Sequence, residues 1–386
     1  MVATRLRPFG ASVFAEMTEL ANRHQAINLS QGFPDFDGPA EIFDAALAAM
    51  RAGANQYARS RGHLELVRAI SETRAQLYGL SYDPETEVVV FSGATEGILS
   101  SLLGLLNPGD EVILIEPFYD SYPVCVTLAG AVPRYVTLKF PDFALDVAEL
   151  ERQITKRTRV LVLNTPHNPT GKVFTPAELG AVADLCVRHD LVVLADEVYE
   201  HLTFDGRRHL PIATVPGMRE RTLTLSSTGK TFSLTGWKVG WATGPQRLVD
   251  AAQAAHQFVT FATATPFQVA MATALRRFIL GGDYLADFQR QYAARRDFLV
   301  RALTNAGFAV AIPAGTYFIV ADFSRLSSED DQTFARRLVT EHGVATIPPG
   351  AFYAAHPEEG RRLLRFAFCK RLETLEAAAA RLRALR

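Results

Sequence analysis

Ser226-Ser227-Thr228-Gly229-Lys230-Thr231-Phe232-Ser233-Leu234-Thr235-Gly236-Trp237-Lys238-Val239-Gly240-Trp241 is the stretch on which the reading of this chain turns. It holds two lysines, hydroxyls around the first, and glycines that admit a close backbone approach. Just before it, Thr222-Leu223-Thr224-Leu225 alternates like the end of a strand. A lysine at the mouth of an apolar strand is poorly solvated. Its charged form is disfavoured there, its pKa falls, and a free amine becomes available. That amine can form a Schiff base with an aldehyde. Alone, Lys230 reads as a surface lysine in a turn. The rest of the chain overturns that reading.

Outward from this stretch, short β-rich runs alternate with helical patterns. The runs are Val88–Phe91, Val112–Ile115, Arg134–Leu138, Val160–Leu163, Leu191–Ala195, Thr222–Leu225 and Val239–Thr243. One helix is expected at Thr95–Leu106. A second is expected at Thr175–His189, with Thr175 as N-cap, Pro176 at the first helical position and Glu178 completing a capping box. Continuous apolar strands between helices imply a mostly parallel sheet covered on both faces. The seven runs fit one large α/β domain over residues 40–280. Residues 1–39 and 281–386 are expected to pair as a smaller α+β domain.

Composition narrows the class of function. The 386 residues are 48% hydrophobic and carry a net charge of -1, so there is no footprint for a polyanion and nucleic acid is not an expected partner. No uninterrupted apolar run reaches the ~18 residues of a membrane span. Arg5 and Arg7 lead into no apolar segment, so no secretory leader is expected. Cys125, Cys186 and Cys369 lie far apart in apolar surroundings. They read as buried small hydrophobes in a reducing compartment, and hence point to the cytoplasm. His167 has no metal-ligand partner at a suitable spacing, and no metal is expected.

In an open α/β sheet, ligands bind beyond the carboxyl ends of the strands. Five such ends carry polar chemistry. Ser92-Gly93-Ala94-Thr95 opens a helix whose free N–H groups and dipole suit an anion, or it is an ordinary turn capped by Thr95. Glu96 would point away from that anion. Tyr119 follows Val112–Ile115 and can stack on a flat heteroaromatic ring, or simply pack in the core. Asn168, directed by the following Pro169-Thr170-Gly171 turn, can donate an amide N–H to a phenolate oxygen, or it is only a turn former. Asp196 follows four apolar residues, where an acid needs a partner; a protonated ring nitrogen is one and a helix N-cap the other. Tyr199 could reach the same phenolate oxygen as Asn168. Ser227, Thr228 and Lys238 could bind a phosphate around Lys230. An aldehyde, a pyridine ring, a phenolate and a phosphate together describe pyridoxal 5'-phosphate. Near the C-terminus, Arg365 is embedded in a β pattern and needs a counter-ion, either a substrate carboxylate or a buried salt bridge.

Asn168-Pro169-Thr170-Gly171, Asp196-Glu197-Val198-Tyr199 and Ser227-x-x-Lys230, followed by Lys238, resemble the class I and II aminotransferases of pyridoxal-phosphate fold type I. The likeness runs from Gln31-Gly32-Phe33-Pro34-Asp35 to Arg365. It is strongest to the kynurenine/glutamine transaminase K and bacterial methionine aminotransferase subgroup. That resemblance implies Lys230 as the Schiff-base lysine and proton carrier, Asp196 on the pyridine nitrogen, and Asn168 and Tyr199 on the phenolate oxygen. Phosphate would be held by the backbone of Gly93, Ala94 and Thr95, with Ser227 and Lys238. Tyr119 would stack on the ring. Arg365, Gly32 and Asn168 would hold the substrate carboxylate, and Phe14 would be a pocket aromatic. The family forms homodimers, and Tyr57 (phosphate) and Phe261 (substrate pocket) match positions that reach the neighbour's site. Ala262 stands where the kynurenine enzymes place a pocket histidine. The expected activity is ping-pong amino transfer from a methionine, glutamine or aromatic L-amino acid to a 2-oxo acid. The alternatives are a cysteine-S-conjugate β-lyase or an aminotransferase for a specialised biosynthetic amino acid.

Overall fold

A computed structural model describes residues 2–10 and 12–385. Seven strands form its large sheet: β1 (Val88–Ser92), β2 (Glu111–Glu116), β3 (Val132–Thr137), β4 (Thr158–Asn164), β5 (Val192–Asp196), β6 (Thr222–Ser227) and β7 (Val239–Thr243). All seven apolar runs of the sequence become strands of this sheet. Their side chains alternate between two cores, as a period of two requires. Ile113, Ile115, Leu161, Leu163 and Val193 pack on one face, and Val112, Leu114, Val160, Val162 and Leu194 on the other. Helices cover both faces, which is why the strands are apolar throughout.

The spatial order is β1-β7-β6-β5-β4-β2-β3. Only β7 runs antiparallel, to both β1 and β6. Its start therefore lies at the same edge of the sheet as the ends of the other strands. This single reversal brings Lys238, which directly precedes β7, beside Gly93 and Lys230. A glycine is needed where β7 passes the turn after β1: a Cβ on Gly240 would stand 2.7 Å from Ala94 N.

The expected capping box is present. Thr175 Oγ1 accepts from Glu178 N, and the Glu178 carboxylate accepts from Thr175 N, at the head of the helix Pro176–Arg188. The first expected helix differs. It spans Ala94–Leu105, and its N-cap is Gly93 at φ 79° with no side-chain cap. Thr95 is therefore inside the helix and does not cap it, so the leading N–H groups stay free for another acceptor.

Both chain ends join in the second unit. Ile27–Asn28 pairs in parallel with Val344–Ala345. A three-stranded antiparallel sheet places Phe318–Asp322 between Ala309–Ala311 and Leu363–Ala367. Met17, Ala21 and Leu29 share one core with Leu299, Leu338 and Phe366. Among the described residues, no helix is long and apolar enough to cross a membrane.

Candidate active site

A cavity of about 420 Å³ opens where the C-terminal edge of the large sheet meets the second unit. Gly93, Ala94 and Thr95 come to it from the end of β1, and Tyr119 from the end of β2. Asn168 arrives after β4, Asp196 and Tyr199 after β5, and Ser227 and Lys230 after β6. Lys238 enters from the start of β7, and Gly32, Phe14 and Arg365 from the second unit. Two residues stand apart. Tyr57 is 84% exposed and packs edge-on against Phe261, with ring centroids 5.3 Å apart, and neither borders the cavity of its own chain. Thr228 also leaves the site, because its hydroxyl donates to Val239 O.

Burial sets the electrostatics. It pulls the Lys230 ammonium down to about 8, against the opposing pull of the nearby Asp196 carboxylate. The Lys230 Nζ stands 5.6 Å from the ring centres of both Tyr199 and Tyr317. Burial pushes Asp196 up, while a hydrogen bond from Tyr122 opposes it. Asp196 Oδ2 accepts from the Tyr122 hydroxyl at 2.7 Å, and Oδ1 from Val198 N at 3.3 Å. A buried carboxylate with two donors and no full ion pair is set up to receive a cation.

At the far side, Arg365 is buried and has no carboxylate within salt-bridge distance among the described residues. Its Nη1 donates to Asn168 Oδ1 at 3.1 Å and its Nη2 to Ser30 O at 2.8 Å, while Nε has no partner. The ring of Phe318 lies 4.0 Å beneath the guanidinium and that of Phe14 at 4.9 Å. Burial lowers Arg365 to about 10. Of the two accounts the sequence left open, the buried salt bridge is absent. Asn168 holds Arg365 through its carbonyl oxygen, which leaves its NH2 group free to donate. Asn164 fixes Asn168 in turn, accepting from Asn168 N at 2.7 Å.

An anion cradle completes the cavity. Lys238 adopts the left-handed conformation at φ 54°, unusual for a side-chain-bearing residue. That conformation folds its side chain back: a Cβ on Gly93 would meet Lys238 Nζ at 3.0 Å. The ammonium thus sits against the uncapped head of the helix Ala94–Leu105. Glu96 does turn away, accepting from Ser92 N and contacting His256 Nδ1.

Some residues in or beside the cavity escaped the sequence reading. Tyr122 lies one helical turn after Tyr119, inside the same aromatic segment, but its polar role to Asp196 depends on a contact across the fold. Tyr317 donates to Gly32 O at 2.5 Å and so fixes that backbone. Asp120, in the cavity wall, accepts from Ser12 Oγ at 3.2 Å, and burial pushes its pKa up.

The profile of the aminotransferase class I and II family matches residues 24–382. The chain belongs to the class I and II aminotransferases. It is 48% identical to a probable N-succinyldiaminopimelate aminotransferase of Mycobacterium tuberculosis, over 100% of this chain and 98% of the other. It is 41% identical to a kynurenine–oxoglutarate transaminase of Dictyostelium discoideum, over 96% of this chain and 93% of the other. A solved structure of an Escherichia coli protein with a methionine aminotransferase function superposes with a TM-score of 0.95 at 39% identity, covering 100% and 99% of the two chains.

This aminotransferase is a pyridoxal-phosphate enzyme, as its family is. The residues present fit that cofactor. The uncapped helix head with Lys238 against it suits a phosphate, and the unpaired Asp196 carboxylate suits a pyridinium. A lowered lysine pKa has a kinetic consequence. Only the free amine attacks an aldehyde, so uptake of pyridoxal phosphate by the cofactor-free protein should accelerate as pH rises through about 8 and level off above it. Absorbance stopped-flow checks this; a rate that still climbed about tenfold per pH unit beyond pH 9, with no plateau, would contradict the lowered pKa.

Proposed function

We propose that this aminotransferase moves an amino group from a neutral L-amino acid, of methionine, glutamine or aromatic type, to a 2-oxo acid in two ping-pong half-reactions. The observation that carries the reading is Arg365, a buried guanidinium without a carboxylate partner, in one cavity with a lysine whose pKa is lowered. Arg365 and the Gly32 backbone hold the substrate carboxylate, with Asn168 orienting the guanidinium. Lys230 would hold the cofactor, and its amine would take the proton from the substrate Cα. Asp196 would keep the ring nitrogen protonated. Tyr199 and the Asn168 amide would face the phenolate oxygen. The Gly93–Thr95 backbone, Ser227 and Lys238 would hold the phosphate, and Tyr119 would lie against the ring. Bound pyridoxal phosphate supplies an electron-withdrawing ring that acidifies the substrate Cα–H.

The wall of the cavity supports a neutral substrate side chain. Its cations among the described residues are Lys230, Lys238 and Arg365, all assigned above, and Asp120 would repel a second carboxylate. A second reading rests on the 48% identity to the probable N-succinyldiaminopimelate enzyme: a long biosynthetic substrate whose distal carboxylates lie beyond this wall. The exposed pair Tyr57 and Phe261 supports a homodimer in which each completes the neighbour's site. Three unpaired, buried cysteines fit a cytoplasmic location.

The test is the donor half-reaction of the holoenzyme, followed by absorbance without acceptor. Methionine, glutamine and phenylalanine are expected to convert the cofactor, and aspartate to do so at least about tenfold more slowly. Conversion by N-succinyl-diaminopimelate alone would replace the neutral-donor reading with the second one.

A further inference from the structure

The turn after β5 divides its acidic and phenolic side chains between two faces. Asp196 and Tyr199 border the cavity, whereas Glu197 and Glu200 do not. These two glutamates meet Arg74, which lies in the helix Leu64–Tyr78. Arg74 Nη1 donates to Glu200 Oε2 at 2.8 Å, and Nη2 to Glu197 Oε2 at 3.2 Å. All three side chains are buried. The other oxygen of Glu200 accepts from Ser226 Oγ at 2.5 Å. Ser226 is the residue before Ser227, and along β6 the two point to opposite faces. One guanidinium therefore clamps two glutamates of the turn after Asp196, and Glu200 in turn ties that turn to the strand that leads into Ser227 and Lys230.

We propose that Arg74, acting through Glu197, Glu200 and Ser226, is a positioning residue for the reaction, holding the Asp196 carboxylate and the Lys230 amine in register with each other. The proposal rests on the roles given above to Asp196 and Lys230. A purely structural ion pair explains the arrangement less well. Burying charges gains little stability over a well-packed apolar cluster, and sometimes none. What such a cluster does supply is geometry: the guanidinium fork fixes two carboxylates of one turn at once. The surroundings serve the same end. The Tyr78 ring lies 4.6 Å from the Arg74 guanidinium, and His209 Nε2 stands 3.1 Å from Glu197 Oε2. His201 faces Glu200, and Tyr82 lies on the side of Arg74. Burial would raise Glu200, but Arg74 and the neighbouring histidines bring it down to about 2, so it stays ionised and bound to its donors. Glu197 in turn works against the ionisation of Asp196, and Arg74 offsets that charge.

Holoenzymes with Arg74→Lys, Glu200→Gln and Ser226→Ala separate positioning from stability. Lysine keeps the charge but lacks the fork that spans two carboxylates. For Arg74→Lys and Glu200→Gln, kcat is expected to fall about tenfold to a hundredfold, with KM for the amino donor within about threefold. The pH midpoint of the visible absorbance of the bound cofactor is expected to move by about half a unit or more. Ser226→Ala removes one hydrogen bond and strands no charge, so it should shift the same midpoint by less. Melting of the cofactor-free proteins gives the comparison a structural role would dominate. Lower melting temperatures with kcat and the absorbance midpoint unchanged would overturn the proposal. If Arg74→Lys does not fold, Glu200→Gln and Ser226→Ala decide by the same two readouts. Failure of the underlying site reading looks different, because the wild type itself would then show no lysine-bound absorbance band.

Discussion

Lys230→Ala should lower turnover about ten-thousandfold or more while still binding pyridoxal phosphate. On the proposed roles, two functions would disappear together: the covalent hold on the cofactor and the amine that takes the Cα proton. The phosphate cradle at Gly93 and Lys238, the Asp196 carboxylate and the Tyr119 ring remain, so binding survives. The poorly solvated position of Lys230 sharpens the expectation. Burial lowers its pKa to about 8, and in the space left behind no other amine of the cavity replaces it: Lys238 is folded against Gly93. Single-turnover absorbance with excess amino donor measures the effect. A variant that retained more than about one hundredth of the wild-type rate would remove Lys230 from the chemistry.

Asp196→Asn is expected to lower kcat about a thousandfold, with a smaller change in cofactor affinity. The substitution is nearly isosteric. Its amide oxygen can still accept from the Tyr122 hydroxyl, which now donates to Asp196 Oδ2 at 2.7 Å. What it loses is the negative charge. Burial already disfavours that charge, and Tyr122, Val198 and Lys230 act to keep it. A neutral residue could not keep a bound pyridine nitrogen protonated, and the cofactor ring would then withdraw electrons less strongly. The variant should therefore show a kcat effect much larger than its KM effect. A kcat within about tenfold of the wild type would mean that Asp196 is a structural acid, bound to Tyr122 for the sake of the fold.

Much of this was legible because the chemistry follows strand ends. The apolar runs from Val88 to Thr243 all became strands of one sheet, and the five expected polar strand ends meet at one edge. The Thr175 capping box was legible for the same reason, since donor and acceptor stand three residues apart. The helix expected from Thr95 starts one residue earlier because the turn before it uses the positive φ of Gly93, and this removes the alternative of Thr95 as its cap. Within the C-terminal α+β region the sequence did not resolve the two separate strands Ala309–Ala311 and Phe318–Asp322. The turn at Pro313 to Gly315 parts them, with Gly315 packed against Leu202 and Pro166.

The sequence by itself determined the local elements, the order of the polar strand ends and the identity of the residues they present, because period, turn residues and capping act over a few positions. Tertiary structure alone decided how those residues are paired. Tyr122 reaches Asp196 across 74 positions, Arg74 reaches Glu200 across 126, and Arg365 reaches Asn168 across 197. It also decided that Arg365 finds no carboxylate among the described residues and that Tyr57 and Phe261 stand apart from their own cavity. Such pairings follow from which face of a packed turn each side chain takes, and that face is set by burial against elements far away in the chain.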